Sequence, residues 1–358
     1  MTQERVREFG QPVTLQTVAD HVGTSVMTVS RALNGQQRGV RRKASARAEL
    51  IRQTAEKLGY RRNLAAKAMV RGRFNAIGLL HSADADRNQL PPGRLAGLNA
   101  VLGRRGRSLV VSALPERSLV DEQFVPNILS DLMVDGVIVG VIRDTPRRLE
   151  ELIENYRIPA IWVNSVHAHD SVCPADHDAA KQLTEHLLAL GHRRIGFCRA
   201  DPVSGSRFEQ HYSVQARWDG YVQAMREAGL SPCKFQPDKD RPADRWHRHV
   251  GRWLEGPDRP TAMIAYWEPA AAAFMRAAMA RRIDVPRELS IATFLDNPTT
   301  TARAIGLTGM VLPEREIGEV AGRMILKKAA APEVRRASVE IALRFHRGAS
   351  CVPPDAGR

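Results

Sequence analysis

Two patterns of hydrophobic positions divide the chain near residue 74. Up to that point, apolar residues recur at intervals of three and four, which is the spacing of short amphipathic helices. Beyond it, short runs of consecutive apolar residues alternate with amphipathic helical stretches, a pattern typical of parallel strands covered on both faces. We therefore expect an all-α head, residues 12–59, and a long α/β body, residues 74–350, joined by residues 60–73.

The head is expected to contain three helices with clear end signals. Thr14 and Ser25 are good N-cap residues for the first two helices, and Gly23 permits the left-handed conformation of a tight turn between them. A third helix is predicted over residues 46–58, after a polar loop at 36–43. Its inward residues are expected to be Leu50, Ile51, Ala55 and Leu58.

The body is expected to consist of strands and helices in alternation. Strands are predicted at 76–80, 108–113, 136–141, 160–164, 194–198, 262–266, 289–294 and 308–312. Helices are predicted at 93–104, 122–133, 178–190, 215–228, 268–281 and 314–328. Two smaller α/β lobes fit this chain length better than a single eight-stranded sheet.

The second helix of the head has an outward face that suits a DNA groove. Val29 packs this helix onto the first, where the small side chain of Ala19 allows a close approach. That packing leaves a set of side chains on or near the outward face: Ser25, Val26, Met27, Thr28, Ser30 and Arg31. Such a helix can enter a major groove. A helical hairpin with no DNA role is the alternative.

Positive charge is concentrated in the first part of the chain. Of the 53 Lys and Arg residues, fifteen lie within residues 1–73, where there are only five Asp and Glu. Four of the basic residues, Arg38, Arg41, Arg42 and Lys43, fall in the predicted loop. A cationic segment ahead of a near-neutral body indicates a polyanionic partner and a steep salt dependence of binding. A basic disordered tail is the alternative for the whole segment, and a merely solvated run of charges is the alternative for the loop.

The head resembles the lac-repressor/gal-repressor (LacI/GalR) family of bacterial transcriptional regulators. The matching pattern over residues 14–34 is T-L-x-x-V-A-x-x-V-G-x-S-x-x-T-V-S-R-x-L-N, and E-x-L-G-Y follows at 56–60. The resemblance implies a helix-turn-helix in which Val26, Met27 and Arg31 read bases while Thr28 and Ser30 contact phosphates. The implied DNA-binding set also includes Thr14, Ser25, Asn34 and Tyr60.

Residues 60–73 resemble the hinge helix and linker of the same family. The resemblance implies a short helix that folds on operator DNA, with Asn63, Ala66, Lys67 and Met69 among its DNA contacts. Met69 stands at the position of the apolar wedge that enters the minor groove. A helix this short is unstable alone in water, so it is expected to act as a two-state element. A plain interdomain linker is the alternative.

The body matches the family in segments at 76–80, 134–139, 158–163, 190–196, 217–221, 260–264 and 284–291. The resemblance implies two Rossmann-like lobes of the periplasmic-binding-protein type I, with a ligand in the cleft between them. The first lobe is expected at about 74–175 and 298–328, and the second at about 176–297 and 329–350. The chain would then cross near 175, 297 and 328.

The implied effector-binding residues are Asp86, Asn88, Asn164, Arg217, Trp267, Glu268 and Asp296. Trp267 and Glu268 replace the family's Asn-Asp pair, and Leu295 replaces the first Asp of its Gly-Phe-Asp-Asp motif. Trp267 could stack on a sugar ring. Arg217 could pair with a ligand carboxylate or lie in a structural salt bridge. Because the replaced positions hold sugar hydroxyls in the family, the resemblance disfavours a simple neutral sugar. The effector is expected to be a sugar or sugar acid, or another small metabolite, and loss of the effector response is the alternative.

Other function classes find less support in the sequence. No P-loop, GxGxxG, HExxH or GxSxG motif is present, so neither catalytic residues nor a cofactor are expected. Two pairs, His167 with His169 and His247 with His249, lack a carboxylate or Cys partner, and no metal site is predicted. We expect a cytoplasmic homodimer on pseudopalindromic double-stranded DNA, without membrane contact. A periplasmic-type solute-binding protein without a DNA role is the alternative.

Overall fold

The structure is a computed structural model of the 358-residue chain. It describes residues 12–34, 42–61, 72–83, 90–114, 118, 121–131, 133–140, 147–199, 211–235, 246–256, 259–296 and 305–355, with the side chains of 42–44 and 246–248 excepted. The chain divides into two units: Met1–Gly72, which contains the head, and Arg73–Arg358, which contains the body.

The head contains α1 (Leu15–Val22), α2 (Val26–Leu33) and α3 (Arg42–Lys57). The predicted caps are confirmed: Thr14 Oγ1 accepts the Thr17 backbone N–H at 3.2 Å, and Ser25 Oγ accepts the Thr28 N–H at 3.3 Å. Gly23 has a φ of 65°, the left-handed conformation that the turn between α1 and α2 requires. Local sequence signals therefore define both ends of this turn.

The head core is built from small and β-branched side chains. Val18, Ala19, Val29, Ala32, Ala48, Ile51 and Ala55 are buried together. Two predictions for α3 are wrong. Leu50 is 52% exposed, because the buried stripe runs through Ala48, Ile51 and Ala55, and its neighbour in sequence points about 100° away. The helix also begins at Arg42, inside the stretch expected to be a loop.

The body strands are, in chain order, β1 (Ala76–Ser82), β2 (Ser108–Leu114), β3 (Val137–Gly140), β4 (Ala160–Val163), β5 (Ser171–Pro174), β6 (Ile195–Cys198), β7 (Cys233–Phe235), β8 (Ala262–Ala265), β9 (Ser290–Leu295), β10 (Thr308–Val311), β11 (Val339–Ile341) and β12 (Arg344–His346). The helices are α4 (Pro92–Arg104), α5 (Asn127–Ser130), α6 (Arg147–Asn155), α7 (Asp176–Ala189), α8 (Tyr212–Glu227), α9 (Trp246–Glu255), α10 (Glu268–Ala280) and α11 (Glu314–Ala330).

These strands form two six-stranded sheets, which confirms the two-lobed α/β body. The first lobe has the order β11-β5-β4-β3-β1-β2, and the second has β12-β10-β9-β8-β6-β7. The strands pair in parallel except for β12, which runs antiparallel to β10. Buried apolar clusters cover both faces of each sheet, as near-continuous apolar strands require.

Of the three predicted crossings between the lobes, the one near 175 is confirmed and the other two lie at different places. The first crossing follows β5, because α7 packs in the second lobe. The second was expected near 297, but β10 still pairs with β9, so the chain returns only between Val311 and Glu314. The third was expected near 328, but β11 pairs with β5 in the first sheet, so it follows Ile341. The predicted ranges are therefore wrong at two strands: β10, within 298–328, belongs to the second lobe, and β11, within 329–350, belongs to the first.

Several elements differ from the predicted set. The predicted helix at 122–133 is reduced to α5, because Pro126 precedes its first turn and Asp131 is extended after its last. The strands β5, β7, β11 and β12 and the helices α6 and α9 were not predicted. Three of the four missed strands are three residues long, too short to show an alternating or continuous apolar pattern.

Candidate DNA surface and effector cleft

The outward face of α2 is defined by two side chains one helical turn apart. Met27 is 63% exposed, and Arg31 is also exposed, at position i+4 on the same face. Val26 differs from the prediction, because it is half-buried and packs against the head core. Met27 and Arg31 are thus the exposed apolar and basic groups that α2 displays.

The hydroxyl groups of α2 and its cap are already hydrogen-bonded within the head. Ser25 Oγ and Thr28 Oγ1 lie 2.9 Å apart, and Asn34 Nδ2 donates to Ser30 Oγ at 3.3 Å. These bonds fix the hydroxyls of Ser25 and Thr28 at the N-terminal end of α2 and that of Ser30 along its side. At the N-terminal end, the helix dipole favours anions. Rigid hydroxyls at a helix end are suited to phosphate oxygens.

The other predicted DNA contacts have mixed locations. Thr14 is exposed and serves as the cap of α1, while Tyr60 is half-buried and packs against the head core. Four predicted hinge residues lie outside the described residues: Asn63, Ala66, Lys67 and Met69.

In the body, Arg217 of α8 is 5% exposed and held by ion pairing. Its Nε donates to Asp176 Oδ1 at 2.6 Å, and its Nη1 donates to the Tyr266 carbonyl at 2.7 Å. The guanidinium also lies over the rings of Tyr266, at 4.7 Å, and Phe294, at 4.0 Å. Of the two roles open for Arg217 in the sequence, the structure contains the salt bridge.

The partner carboxylate, Asp176, stands in the first turn of α7 just after β5. Tyr212 Oη donates to Asp176 Oδ2 at 3.0 Å, and burial followed by this carboxylate raises the pKa of the tyrosine well above its usual range. The helices α7 and α8 approach closely at Gly220, where a Cβ would collide with the His177 carbonyl. This close packing brings Arg217 to Asp176, and both carboxylate oxygens accept a hydrogen bond, one from Arg217 and one from Tyr212.

Two further carboxyl groups lie beside this pair without a basic hydrogen-bond partner among the described residues. The Asp296 N–H donates to Glu268 Oε1 at 3.3 Å. Desolvation and then the Asp296 charge raise the pKa of Glu268. Desolvation and then the Glu314 charge raise the pKa of Asp296, although part of its surface is open. Both carboxyl groups are therefore partly desolvated without an ion-pairing partner among the described residues.

The first lobe supplies a second buried ion pair close enough to act on Asp296. Arg94 and Glu314 form two hydrogen bonds, Nε to Oε2 at 2.8 Å and Nη2 to Oε1 at 2.9 Å. Each side chain is 7% exposed. Close packing of α4 on α11 brings them together, because a Cβ at Gly97 would collide with the Arg315 carbonyl.

The remaining predicted effector residues are placed unevenly. Asn164 follows β4 in the left-handed conformation, with φ of 60°, and its carbonyl accepts a hydrogen bond from His211 Nε2 at 3.1 Å. Trp267 is half-buried and packs against the core of the second lobe, a location that leaves less of its ring for stacking. Asp86 and Asn88 lie outside the described residues.

Sequence reasoning missed several groups of this cleft: Arg94, Asp176, His211, Tyr212, Ser213, Tyr266 and Glu314. The buried Arg94–Glu314 pair spans 220 positions and the Arg217–Asp176 pair spans 41, so no local spacing could have revealed them. One available signal was the helix-end position of Asp176 directly after a strand, since carboxyl ends of parallel strands form ligand clefts.

A separate cavity of about 560 Å³ lies on the first lobe, between α6 and the end of α11. Trp162, His167, His169 and Lys328 are among its lining residues, and none of the predicted effector residues is. In the described ranges, no cluster of three or more His, Cys, Asp or Glu side chains is arranged to hold a metal ion. No described helix has the length and apolar character needed to cross a bilayer.

Comparison with known proteins links both parts of the chain to one group. A family model described as bacterial regulatory proteins, lacI family, matches residues 14–63, and a model of the periplasmic binding protein-like domain matches residues 184–351. Catabolite control protein A of Priestia megaterium is 27% identical over 321 residues, 88% of this chain and 92% of that protein. The HTH-type transcriptional regulator GntR of Pseudomonas aeruginosa is 26% identical, covering 94% of this chain and 95% of the relative.

A solved structure extends the match to the fold. The lac repressor dimer bound to operator and the anti-inducer ONPF superposes with a TM-score of 0.78 at 21% identity. The superposition covers 96% of this chain and 100% of that one.

Proposed function

Because the chain belongs to the lacI family of bacterial regulatory proteins, we propose that it is a repressor whose affinity for operator DNA is controlled by a small metabolite. It is a DNA-binding transcriptional regulator with an effector-binding body. The observation that carries the proposal is the capped helix α2, which displays Met27 and Arg31 from a well-packed head joined to a two-lobed body.

On DNA, the exposed face of α2 would enter the major groove. Arg31 would pair with guanine O6 and N7, and Met27 would contact thymine methyl groups. The hydroxyls of Ser25, Thr28 and Ser30 would contact phosphates and set the register of the helix. Since few polar groups read bases directly, DNA shape and deformability would add to the selectivity.

The hinge segment would fold when the head docks. Met69 would then act as the apolar wedge between base steps in the minor groove, which kinks the duplex. A helix-turn-helix head reads about half a site, so two copies on a pseudopalindrome are expected. The lac repressor of the superposed structure is a dimer on its operator, which supports a homodimer here. A DNA-bound regulator would work in the cytoplasm, without catalytic activity.

The ligand would lie in the cleft where the carboxyl ends of β8 and β9 approach the first lobe. The charges of Arg94 and Arg217 are already neutralised by Glu314 and Asp176. The carboxyl groups of Glu268 and Asp296 remain, and they accept hydrogen bonds from hydroxyl groups. A neutral sugar or polyol therefore fits this charge arrangement better than a sugar acid.

A ligand screen followed by DNA titration tests this function. Thermal shifts of the full chain are measured with neutral sugars, polyols and sugar acids. Each hit is then added to the complex of the chain with a DNA duplex that the chain has enriched from a random library, called the selected duplex below. We expect neutral polyhydroxylated hits that change the affinity for the selected duplex. Hits confined to sugar acids would contradict the ligand class, and hits with no effect on DNA binding would contradict effector control.

A further inference from the structure

A series of hydrogen bonds in the cleft runs from Tyr266 in the second lobe to Asn164 in the first lobe. His211, the N-cap residue of α8, accepts the Ser213 backbone N–H at its Nδ1, 3.3 Å away. Because Nδ1 is an acceptor, the ring proton of the neutral imidazole is on Nε2. Nε2 therefore donates to the Asn164 carbonyl at 3.1 Å, across the cleft from the second lobe to the first.

The same bonding pattern continues into the effector residues. Ser213 Oγ lies 2.7 Å from His211 Nδ1 and 2.6 Å from Tyr266 Oη. Because Nδ1 is an acceptor, the Ser213 hydroxyl donates a hydrogen bond to it, and Ser213 Oγ therefore accepts one from Tyr266 Oη. Tyr266 in turn accepts Arg217 Nη1 at its carbonyl, at 2.7 Å. Each donor and acceptor is thus used in one consistent direction from Tyr266 to Asn164.

The geometry points to His211 as a positioning residue that holds the two lobes together at the cleft and couples their closure to the effector residues; this inference rests on the proposed function. His211 is 8% exposed and Ser213 is 2% exposed, so water competes poorly for these bonds. Asn164 presents its carbonyl because its left-handed backbone turns the chain directly after β4. A ligand that contacts Arg217 or Tyr266 would therefore act on the bond between the lobes.

Two substitutions separate this bridging role from the capping role of the same side chain. Asn is a good N-cap and would keep the acceptor for the Ser213 N–H, but it is too short to reach Asn164. Gln places an N–H donor near the position of Nε2 and caps less well. If His211 bridges the lobes, His211→Asn should lose the hydrogen bond to the Asn164 carbonyl and His211→Gln should keep it.

Amide hydrogen exchange of the full chain without added ligand measures this directly. One buried neutral hydrogen bond corresponds to about 3- to 10-fold in an opening equilibrium. We expect His211→Asn to increase exchange by this factor in both segments that face the cleft, 160–166 and 211–217. His211→Gln weakens the cap and keeps the bond to Asn164, so it should leave exchange of 160–166 near that of the parent chain.

Either of two results would overturn the inference: faster exchange confined to 211–217 in His211→Asn, or faster exchange in both segments of His211→Gln. Nitrogen-15 shifts of labelled histidine provide a second measurement, with the His211 signal assigned by its loss in His211→Asn. The Nε2–H tautomer is expected, and the Nδ1–H tautomer would contradict the bond direction. Neither readout uses an effector, so a failed ligand screen would contradict the proposed function and leave this inference standing.

Discussion

The candidate DNA surface and the candidate effector cleft present their side chains in opposite ways. On α2, Met27 and Arg31 project into solvent from a helix whose caps and core are complete without them. In the cleft, Arg217, Asp176, Arg94 and Glu314 are buried and already paired. The outward groups of the head are therefore free to make new contacts, whereas these four charged groups of the cleft are already compensated within the body.

The difference has a consequence for substitutions in the two regions. Removing an exposed group from α2 changes what the head can bind and leaves its folding free energy nearly unchanged. Removing one member of a buried ion pair leaves the other charge without compensation, which lowers stability before any ligand is considered.

The largest effect is expected for Asp176→Asn. This change leaves the Arg217 guanidinium buried without its counter-charge, so the free energy of unfolding of the body should fall by about 3–5 kcal/mol. Urea unfolding followed by tryptophan fluorescence measures it. The matched control is Glu227→Gln, which removes an exposed ion pair with Lys181 between the same two helices and should leave the free energy of unfolding nearly unchanged. Equal losses of unfolding free energy in the two variants would contradict the distinction between the buried and the exposed ion pair.

Ile51→Ala should come next, with a loss of about 2–5 kcal/mol in the stability of the head, because it creates a cavity in a core of small residues. The adjacent residue is the control: Leu50 is 52% exposed, and Leu50→Ala should change stability by no more than about 0.5 kcal/mol. Thermal unfolding of the two variants separates them. A loss from Leu50→Ala as large as that from Ile51→Ala would place the buried stripe of α3 elsewhere.

Local signals explain why the head was better predicted than the cleft. The caps Thr14 and Ser25 and the turn at Gly23 depend on residues within four positions, and each is confirmed. The strand Thr308–Val311 was also predicted, but nothing within it reveals that it pairs with β9 and so belongs to the second lobe. Assignment of strands to sheets depends on pairing between distant segments, which the apolar pattern does not record.

Arg31→Ala should reduce discrimination at the base pair that this residue reads by about 1–3 kcal/mol, with a small effect on stability. Competition binding between the selected duplex and single-base variants measures the preference. The control is Lys57→Ala, which removes an exposed charge at the end of α3 and should weaken binding to all duplexes alike. Unchanged base preference in Arg31→Ala would exclude this residue from base reading.

Met69→Ala should weaken binding to the selected duplex by on the order of tenfold. An apolar wedge unstacks a base step and bends the duplex, and the bent duplex makes more contacts with the protein, which offset the cost of unstacking. Binding to an unrelated duplex at the same salt concentration should remain nearly constant, since backbone contacts supply that affinity. An equal loss on both duplexes would contradict the wedge.

The smallest effect is expected from pH. Burial lowers the pKa of His192, whose ring nitrogens lie 2.9 Å from the Val352 carbonyl and 2.9 Å from Thr261 Oγ1. The unfolded chain then binds the proton more readily, so stability should fall as the pH decreases from 7.5 through the unfolded pKa of about 6.5. Urea unfolding at pH 7.5 and pH 6.0 should show a smaller difference in His192→Gln. An unchanged difference would assign the pH dependence to other groups.

Selection of DNA by the full chain from a random duplex library tests most directly whether α2 presents a base-reading surface. We expect enrichment of one twofold-symmetric sequence, bound more tightly than its scrambled counterpart, with that preference reduced in a variant combining Met27→Ala and Arg31→Ala. No enrichment at low salt, or an enriched sequence that this double variant binds with undiminished preference, would contradict it.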